Sequence, residues 1–235
     1  MAKHPATFSD NILERLDVMV PPGVYLDPFC GVGKIFRLTR ADRQFVGVEL
    51  EREWADMWPA YYPTGEGIPI PGQNMVTVGD SMHQMRVWKM DGVRFDGVVS
   101  SPVYGNRMSD HHNPKDDSTR RSYKFDLGRD LTPGNMGEMY FWQPQYRTSA
   151  KLAVKRIHQV VRPGGMVFWN VKNFIKTVKG IEKTYDVVGW WRNQFEKKGF
   201  KVIGTSDVPT PGMRYGENAD IRIDSEKIIV ARRVG

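Results

Sequence analysis

Val24 to Glu51 read VYLDPFCGVGKIFRLTRADRQFVGVELE, and the order of residue types in this stretch decides the fold. Val24–Asp27 is a short apolar run with a carboxylate at its end, stopped by Pro28. Phe45–Glu51 is a second apolar run, again ending in acid. Short apolar runs bounded by turn residues suit strands covered on both faces, as in a parallel sheet. The turn between them, Asp27-Pro28-Phe29-Cys30-Gly31-Val32-Gly33-Lys34, leads into Lys34–Asp42, which predicts a helix. Two glycines one residue apart let a backbone pass close to a ligand at a helix start. The turn lacks the third glycine of a dinucleotide fingerprint. Lys34 is followed by Ile35, not by the Ser or Thr of a phosphate loop.

Outward from this stretch the pattern repeats. A helical stretch is expected from Arg52 to Trp58, then a Pro- and Gly-rich loop over 59–74. Met75–Asp80 and Phe95–Ser101 predict a third and a fourth strand. Strands alternating with helices indicate an α/β fold with a mostly parallel sheet. Residues 102–145 are polar and lack periodicity, and a loop this long in a compact domain is usually functional. Tyr146–Val161 resumes helical spacing, stopped by Arg162-Pro163-Gly164-Gly165. Met166–Val171 predicts a fifth strand and Val187–Lys198 a helix closed by Gly199. Phe200–Val208 and Glu226–Val234 are final strands with no helix between them, hence antiparallel neighbours. No repeat or linker divides the chain, so 1–235 reads as one domain with a lid over 105–147 and a second loop over 209–224.

Three acids end three strands. Glu49 stands where a carboxylate can accept from both hydroxyls of a ribose. Asp80, followed by Ser81, can accept from an adenine amino group, and Asp27 can face the amino group of an amino-acid moiety. Together they suit a nucleoside ligand with a cationic part, as in S-adenosylmethionine, better than a dinucleotide with an anionic pyrophosphate. The competing reading is that each acid caps the helix after it.

Composition narrows the setting. The chain has 235 residues, 40% hydrophobic and 26% charged, close to globular averages and against disorder. A single cysteine excludes an intramolecular disulfide framework and any cysteine-based zinc site. No apolar run approaches the ~18 residues that span a bilayer, and Met1–Asp10 lacks a signal pattern, so a reducing cytoplasm is expected. The net charge of +7 is uneven: residues 1–105 carry net −3, 106–148 net +1, 149–201 net +9 and 202–235 net zero. A concentrated basic face attracts a polyanion such as nucleic acid. Lysines on solvated helix surfaces are the other account of the same numbers.

After the fourth strand come Ser100-Ser101-Pro102-Val103-Tyr104-Gly105-Asn106-Arg107. Asp-Pro-Phe-x-Gly-x-Gly followed by an Asp, Asn or Ser, then Pro-Pro-aromatic, is the pattern of DNA amino-methyltransferases that use S-adenosylmethionine. This chain resembles that family over residues 3 to about 110, and Tyr104–His112 resembles small members often carried by bacteriophages. The resemblance implies a class I methyltransferase fold, a seven-stranded, mostly parallel Rossmann-like sheet with one antiparallel strand. It implies that His4, Pro5 and Phe8 contribute to the methionine end of the cofactor site. Pro28, Phe29, Gly31, Gly33, Leu50 and Ser81 would complete that site around Asp27, Glu49 and Asp80.

The implied chemistry accounts for the residue types. An exocyclic amine is a poor nucleophile because its lone pair is conjugated into the ring. The Ser101 hydroxyl oxygen and the Pro102 carbonyl can accept its two hydrogens and aim the lone pair at the sulfonium methyl. Tyr104 offers a face for an extruded base. Transfer is then direct displacement helped by positioning, with no thiol nucleophile of the kind cytosine carbon-5 methylation needs. Two departures stand out. Val103 replaces the usual second proline, leaving the turn less constrained. Lys34 stands beside a cationic cofactor unless it points away or pairs with an acid.

On the substrate side, Val103, Asn106, Arg107, Arg120, Arg121, Tyr123 and, in the second loop, Arg214 are candidates. Basic residues interleaved with aromatics suit a strand with its bases unstacked; a self-packed loop is the plainer account. His111 and His112 match no metal spacing, and no metal is expected. Double-stranded DNA is the expected partner, RNA less so, with adenine N6 and cytosine N4 both open and the oligomeric state undetermined. An RNA or protein-amide methyltransferase, and an inactive nucleic-acid-binding relative, remain as alternatives.

Overall fold

The computed structural model of the chain describes residues 8–57, 73–103, 123–178, 180–210 and 223–235. Its centre is a seven-stranded sheet built from β1 (Gly23–Asp27), β2 (Arg43–Glu49), β3 (Met75–Val78), β4 (Phe95–Ser100), β5 (Val161–Val171), β8 (Phe200–Pro209) and β9 (Ser225–Arg233). The order is β3-β2-β1-β4-β5-β9-β8. β1, β2, β3, β4 and β5 pair in parallel, and β9 runs antiparallel between β5 and β8. The expected seven strands, mostly parallel with one antiparallel, are present.

Each face of the sheet carries its own core, which is why the central strands are nearly continuously apolar. On one face α3 (Ser81–Met90), α5 (Pro144–Val160) and α6 (Val187–Glu196) bury Met85, Trp88, Val154, Ile157, Trp191 and Phe195. On the other, α1 (Asp10–Met19) and a 3-10 turn at Lys34–Leu38 bury Ile12, Leu16, Ile35 and Phe36 against Tyr25 and Phe45. Ser9 caps α1, its hydroxyl accepting from the Ile12 amide at 3.3 Å.

The helix expected over Lys34–Asp42 is only that single 3-10 turn. Arg43 is the reason. Its side chain is 2% exposed, and Nε takes the Leu38 carbonyl that would have continued the helix (2.8 Å). Nη1 donates to the carbonyls of Asp17 (3.1 Å) and Val20 (2.7 Å), and Nη2 pairs with the Asp17 carboxylate. The backbone then reverses between Arg40 and Arg43 directly into β2. The helix expected from Arg52 is one turn, α2 (Arg52–Ala55). β3 and β4 stop one or two residues early, because Asp80 caps α3 and Ser101 begins the next turn. Arg162–Gly165 does not separate a helix from a strand: α5 passes directly into β5, whose irregular start contains them.

Three elements carried no sequence expectation: α1, α3 and a two-stranded hairpin, β6 (Phe174–Val178) with β7 (Ile181–Tyr185). The 105–147 loop also holds more structure than expected. A short helix α4 (Tyr123–Leu127) and a 3-10 turn at Met136–Glu138 lie within it. Met136, Phe141 and Tyr146 are in the main core. Residues 104–122 and 211–222 fall outside the described set.

Arg43→Met should lower the unfolding free energy by about 3 kcal/mol, since it leaves three carbonyls without their donor and takes from Asp17 one of its two arginine partners, Arg40 remaining. Arg43→Lys should restore only part of this, because a single ammonium cannot reach in three directions. Urea unfolding monitored by tryptophan fluorescence measures both.

Candidate active site

The carboxyl ends of β1 to β5 open on one cavity of about 580 Å³. This is the edge where the strand order reverses between β1 and β4, the usual ligand position in an open parallel sheet. The turn after β1 supplies Pro28, Phe29, Cys30, Gly31, Val32 and Lys34 to the wall. Glu49 ends β2 and Leu50 follows it, Asp80, Ser81 and Met82 stand where β3 leads into α3, and Ser101, Pro102 and Val103 follow β4.

A carboxylate shapes the glycine turn. Glu49 is buried, with Oε2 accepting from the Gly31 amide at 2.7 Å and Oε1 from the Glu51 amide at 2.9 Å. Gly31 and Gly33 have φ of 55° and 61°, so both positions require glycine. Burial pushes the Glu49 carboxyl up to about 7, against the pull of those amides. Cys30 is buried with a thiol pushed well up by burial, and its Sγ fills the space above Gly47. Ser81 donates to the Pro28 carbonyl and ties α3 to the turn. Lys34 does pair with an acid: Nζ donates to the Phe8 carbonyl at 2.6 Å and lies 3.2 Å from Asp10. Its charge thereby fixes the segment carrying Phe8, which also lines the cavity.

Asp27 sits beneath the wall, not in it. It is 1% exposed, and Oδ1 accepts from the Phe29 amide (3.1 Å) and the Ser100 hydroxyl (2.7 Å). Burial pushes its carboxyl up to about 7. Through these bonds Asp27 braces the ends of β1 and β4. Gly33 is likewise absent from the wall, forming the left-handed start of the 3-10 turn. Asp80 serves both accounts given for it: its carboxylate accepts from the Met82 amide at 2.7 Å, and it lines the cavity.

The Ser101-Pro102-Val103 turn is held from outside. Tyr146, 1% exposed at the start of α5, donates its hydroxyl to the Val103 carbonyl at 2.7 Å. That bond restrains the turn where a second proline is missing.

The opposite wall is Pro133, Gly134, Asn135 and Met136. Glu51, fully buried, clamps this segment to β2. It accepts from the Thr132 amide (2.9 Å) and hydroxyl (2.8 Å), from Asn135 Nδ2 (2.7 Å) and from Arg129 Nη2 (2.8 Å). Arg129 also chelates Glu53, Lys124 pairs with Asp130 and Glu138, and Arg147 lies over the Phe141 ring. These cations of the expected lid each have a partner within the protein. Tyr123 is buried against Trp54 and lines the cavity near Glu49.

His4, Pro5, Tyr104, Asn106, Arg107, Arg120, Arg121 and Arg214 lie outside the described residues. Sequence reasoning missed Glu51, Tyr146, Asn170 and Glu226. The last two line the cavity at the edge where β5 ends and β9 begins, with Asn170 Nδ2 donating to Glu226 Oε2 at 2.5 Å. Glu51 had a signal, a second acid two residues beyond Glu49 and so on the same strand face. Among the described residues no three His, Cys, Asp or Glu side chains are placed to hold a metal ion. No helix among them is long and apolar enough to cross a membrane.

No protein-family model matches the sequence, and no curated protein matches it. Solved structures do resemble the fold. TehB from Haemophilus influenzae aligns over 98% of this chain and 63% of its own, with 11% identity and a TM-score of 0.53. This chain thus spans less than two thirds of TehB. A SAM-dependent methyltransferase from Methanosarcina mazei aligns over 91% of this chain and 93% of its own, at 12% identity and a TM-score of 0.50. Identities this low speak for architecture alone. By its strand order and these likenesses, the chain has the Rossmann-like fold of class I S-adenosylmethionine-dependent methyltransferases.

Proposed function

We propose that the protein transfers a methyl group from S-adenosylmethionine to the exocyclic amine of adenine (N6) or cytosine (N4) in DNA. The observation that carries this reading is that Ser101, Pro102 and Val103 share one cavity with Glu49 and the glycine turn. A ribose-binding carboxylate and a pair of amine-hydrogen acceptors then face the same space. With the cofactor bound, Glu49 would accept from the ribose hydroxyls, the glycine turn would hold the methionine end, and Asp80 would accept from the adenine amino group. Phe8 and Phe29 close the cavity with apolar surface. The target amine gives its hydrogens to the Ser101 hydroxyl oxygen and the Pro102 carbonyl. Its nitrogen attacks the methyl carbon as the carbon–sulfur bond breaks, leaving S-adenosylhomocysteine, and the amine proton leaves to solvent. Positioning supplies most of the catalysis, which is why the Tyr146 brace matters.

Labelled cofactor incubated with DNA, followed by digestion to nucleosides, should yield N6-methyladenine or N4-methylcytosine. Label appearing only on structured RNA or on protein would overturn the reading. Ser101→Ala should abolish turnover and leave cofactor affinity within a few-fold; surviving turnover would remove Ser101 from its role. Tyr146→Phe should lower kcat by roughly tenfold or more through the freed Val103 carbonyl, with cofactor affinity unchanged.

Cofactor binding should depend on pH. Burial pushes the Glu49 carboxyl up to about 7, and ribose hydroxyls and a sulfonium both favour its ionised form. Binding then expels a proton. Affinity should rise with pH, by up to about tenfold per unit well below 7, and flatten above. Glu49→Gln should bind more weakly and lose this slope, apart from any part carried by Asp27. For folding the sign reverses. Both raised carboxylates stabilise the fold at low pH relative to high, and that stability is lost as pH rises from about 4 through 7. Calorimetry in buffers of different ionisation enthalpy counts the proton.

A further inference from the structure

Among the described residues, the hairpin β6–β7 belongs to neither the sheet nor the cavity wall, yet it springs from the cavity rim. Asn170 lines the cavity, β5 ends at Val171 and β6 starts at Phe174. The root of the ribbon is fixed by aromatic packing. Phe174 and Tyr185 stack at 4.7 Å and 12°, and Trp142 packs on both at 5.9 and 5.5 Å. Asn173 Oδ1 accepts from the Val188 amide at 2.9 Å, joining the root to α6. Beyond that root, Ile181–Thr184 are exposed.

The ribbon is basic in an unusual way. Residues 172–185 carry lysines at 172, 176, 179 and 183 against one acid, Glu182. The register places Lys176 directly opposite Lys183. Like charges at directly opposed positions destabilise a hairpin, and a two-stranded ribbon has little stability to spare. Lys183 lies over the Tyr185 ring (5.4 Å to the centroid), and among the described residues no carboxylate pairs with it. An anion laid along the ribbon would offset two lysines held at opposed positions of the register.

We propose that the β6–β7 hairpin is the arm that grips double-stranded DNA, lying in the major groove with its lysines toward the phosphates. This rests on the reading of the cavity as a DNA amino-methyltransferase site. The major groove of B-form DNA admits a two-stranded ribbon, whereas that of A-form RNA is too narrow. Further basic side chains of residues 149–201 are elsewhere: exposed Arg162, Lys197, Lys198 and Lys201 sit where β5 and β8 begin, at the opposite edge of the sheet, and exposed Lys151 and Lys155 lie on α5, whose Ser149 and Leu152 line the cavity. The +9 stretch is therefore spread over several surfaces, and the hairpin is one that adjoins the cavity.

The test uses the full chain, with fluorescence anisotropy on a short DNA duplex across a salt series. Lys176→Gln with Lys183→Gln should weaken binding about tenfold and lower the slope of log affinity against log salt by about 2. The midpoint of thermal unfolding should not fall. Lys197→Gln with Lys198→Gln, the same charge change at the far edge, should leave binding as it is. Unchanged affinity and slope in the hairpin variant, equal loss in the far-edge variant, or equally tight binding of the unaltered protein to duplex RNA would overturn the proposal. If the unaltered protein methylates DNA while the hairpin variant binds normally, the hairpin assignment fails and the reaction stands. If binding falls as expected but no methyl group reaches DNA, the reaction fails and the hairpin stands.

Discussion

A carboxylate with almost no water around it organises this molecule. Glu49 ends β2 inside the fold and accepts from the Gly31 and Glu51 amides, one on the turn after β1 and one at the entry to α2. Those bonds fix the path of a turn whose two left-handed glycines would otherwise be the loosest part of the backbone. Removing an ionisable group from water is costly, and the fold accepts that cost with both Glu49 and Asp27, each pushed up to about 7. Glu51 extends the arrangement by gathering Arg129, Thr132 and Asn135. Three acids within the ends of two adjacent strands thus define the floor and far wall of the cavity.

The sheet was legible because its information is local. Val24–Asp27, Phe45–Glu49, Met75–Val78 and Phe95–Ser100 are runs whose neighbours on both faces are apolar, and such runs show in any window. The helices were less so. α3, SMHQMRVWKM, alternates buried Met85 and Trp88 with polar residues, and its start is marked only by Asp80, which reads equally as the end of a strand. The helix expected after Gly33 fails through Arg43, a residue whose effect depends on carbonyls of α1 and Leu38 brought together only by folding. The hairpin escaped notice because five-residue strands with lysines between aromatics carry little periodic signal.

The site divides in the same way. The glycine turn, Glu49, Asp80 and the Ser-Pro turn are contiguous motifs, and all but Asp27 and Gly33 of those described reach the cavity. Tyr146, Glu51, Asn170 and Glu226 act across separations of tens of residues and have no motif to announce them. The lid shows how far sequence reaches: Lys124, Arg129 and Arg147 each have a partner within the protein, while Arg107, Arg120 and Arg121 lie outside the described residues. Net charge counts side chains, whereas recognition depends on which of them folding leaves unspent.

The place of β9 bears on how the chain reaches this state during synthesis. β8 borders only β9 in the sheet, and β9 lies between β8 and β5 although it follows both in the chain. As the polypeptide leaves the ribosome, the five parallel strands can assemble with near neighbours. β8 must wait, its hydrogen-bonding edge unmet, until residues 225–233 emerge and slot in beside it. Glu226 arrives with that strand, so the rim of the cavity is finished only in this last step. A nascent chain stalled before it would display an open sheet edge, the kind of surface that chaperones hold.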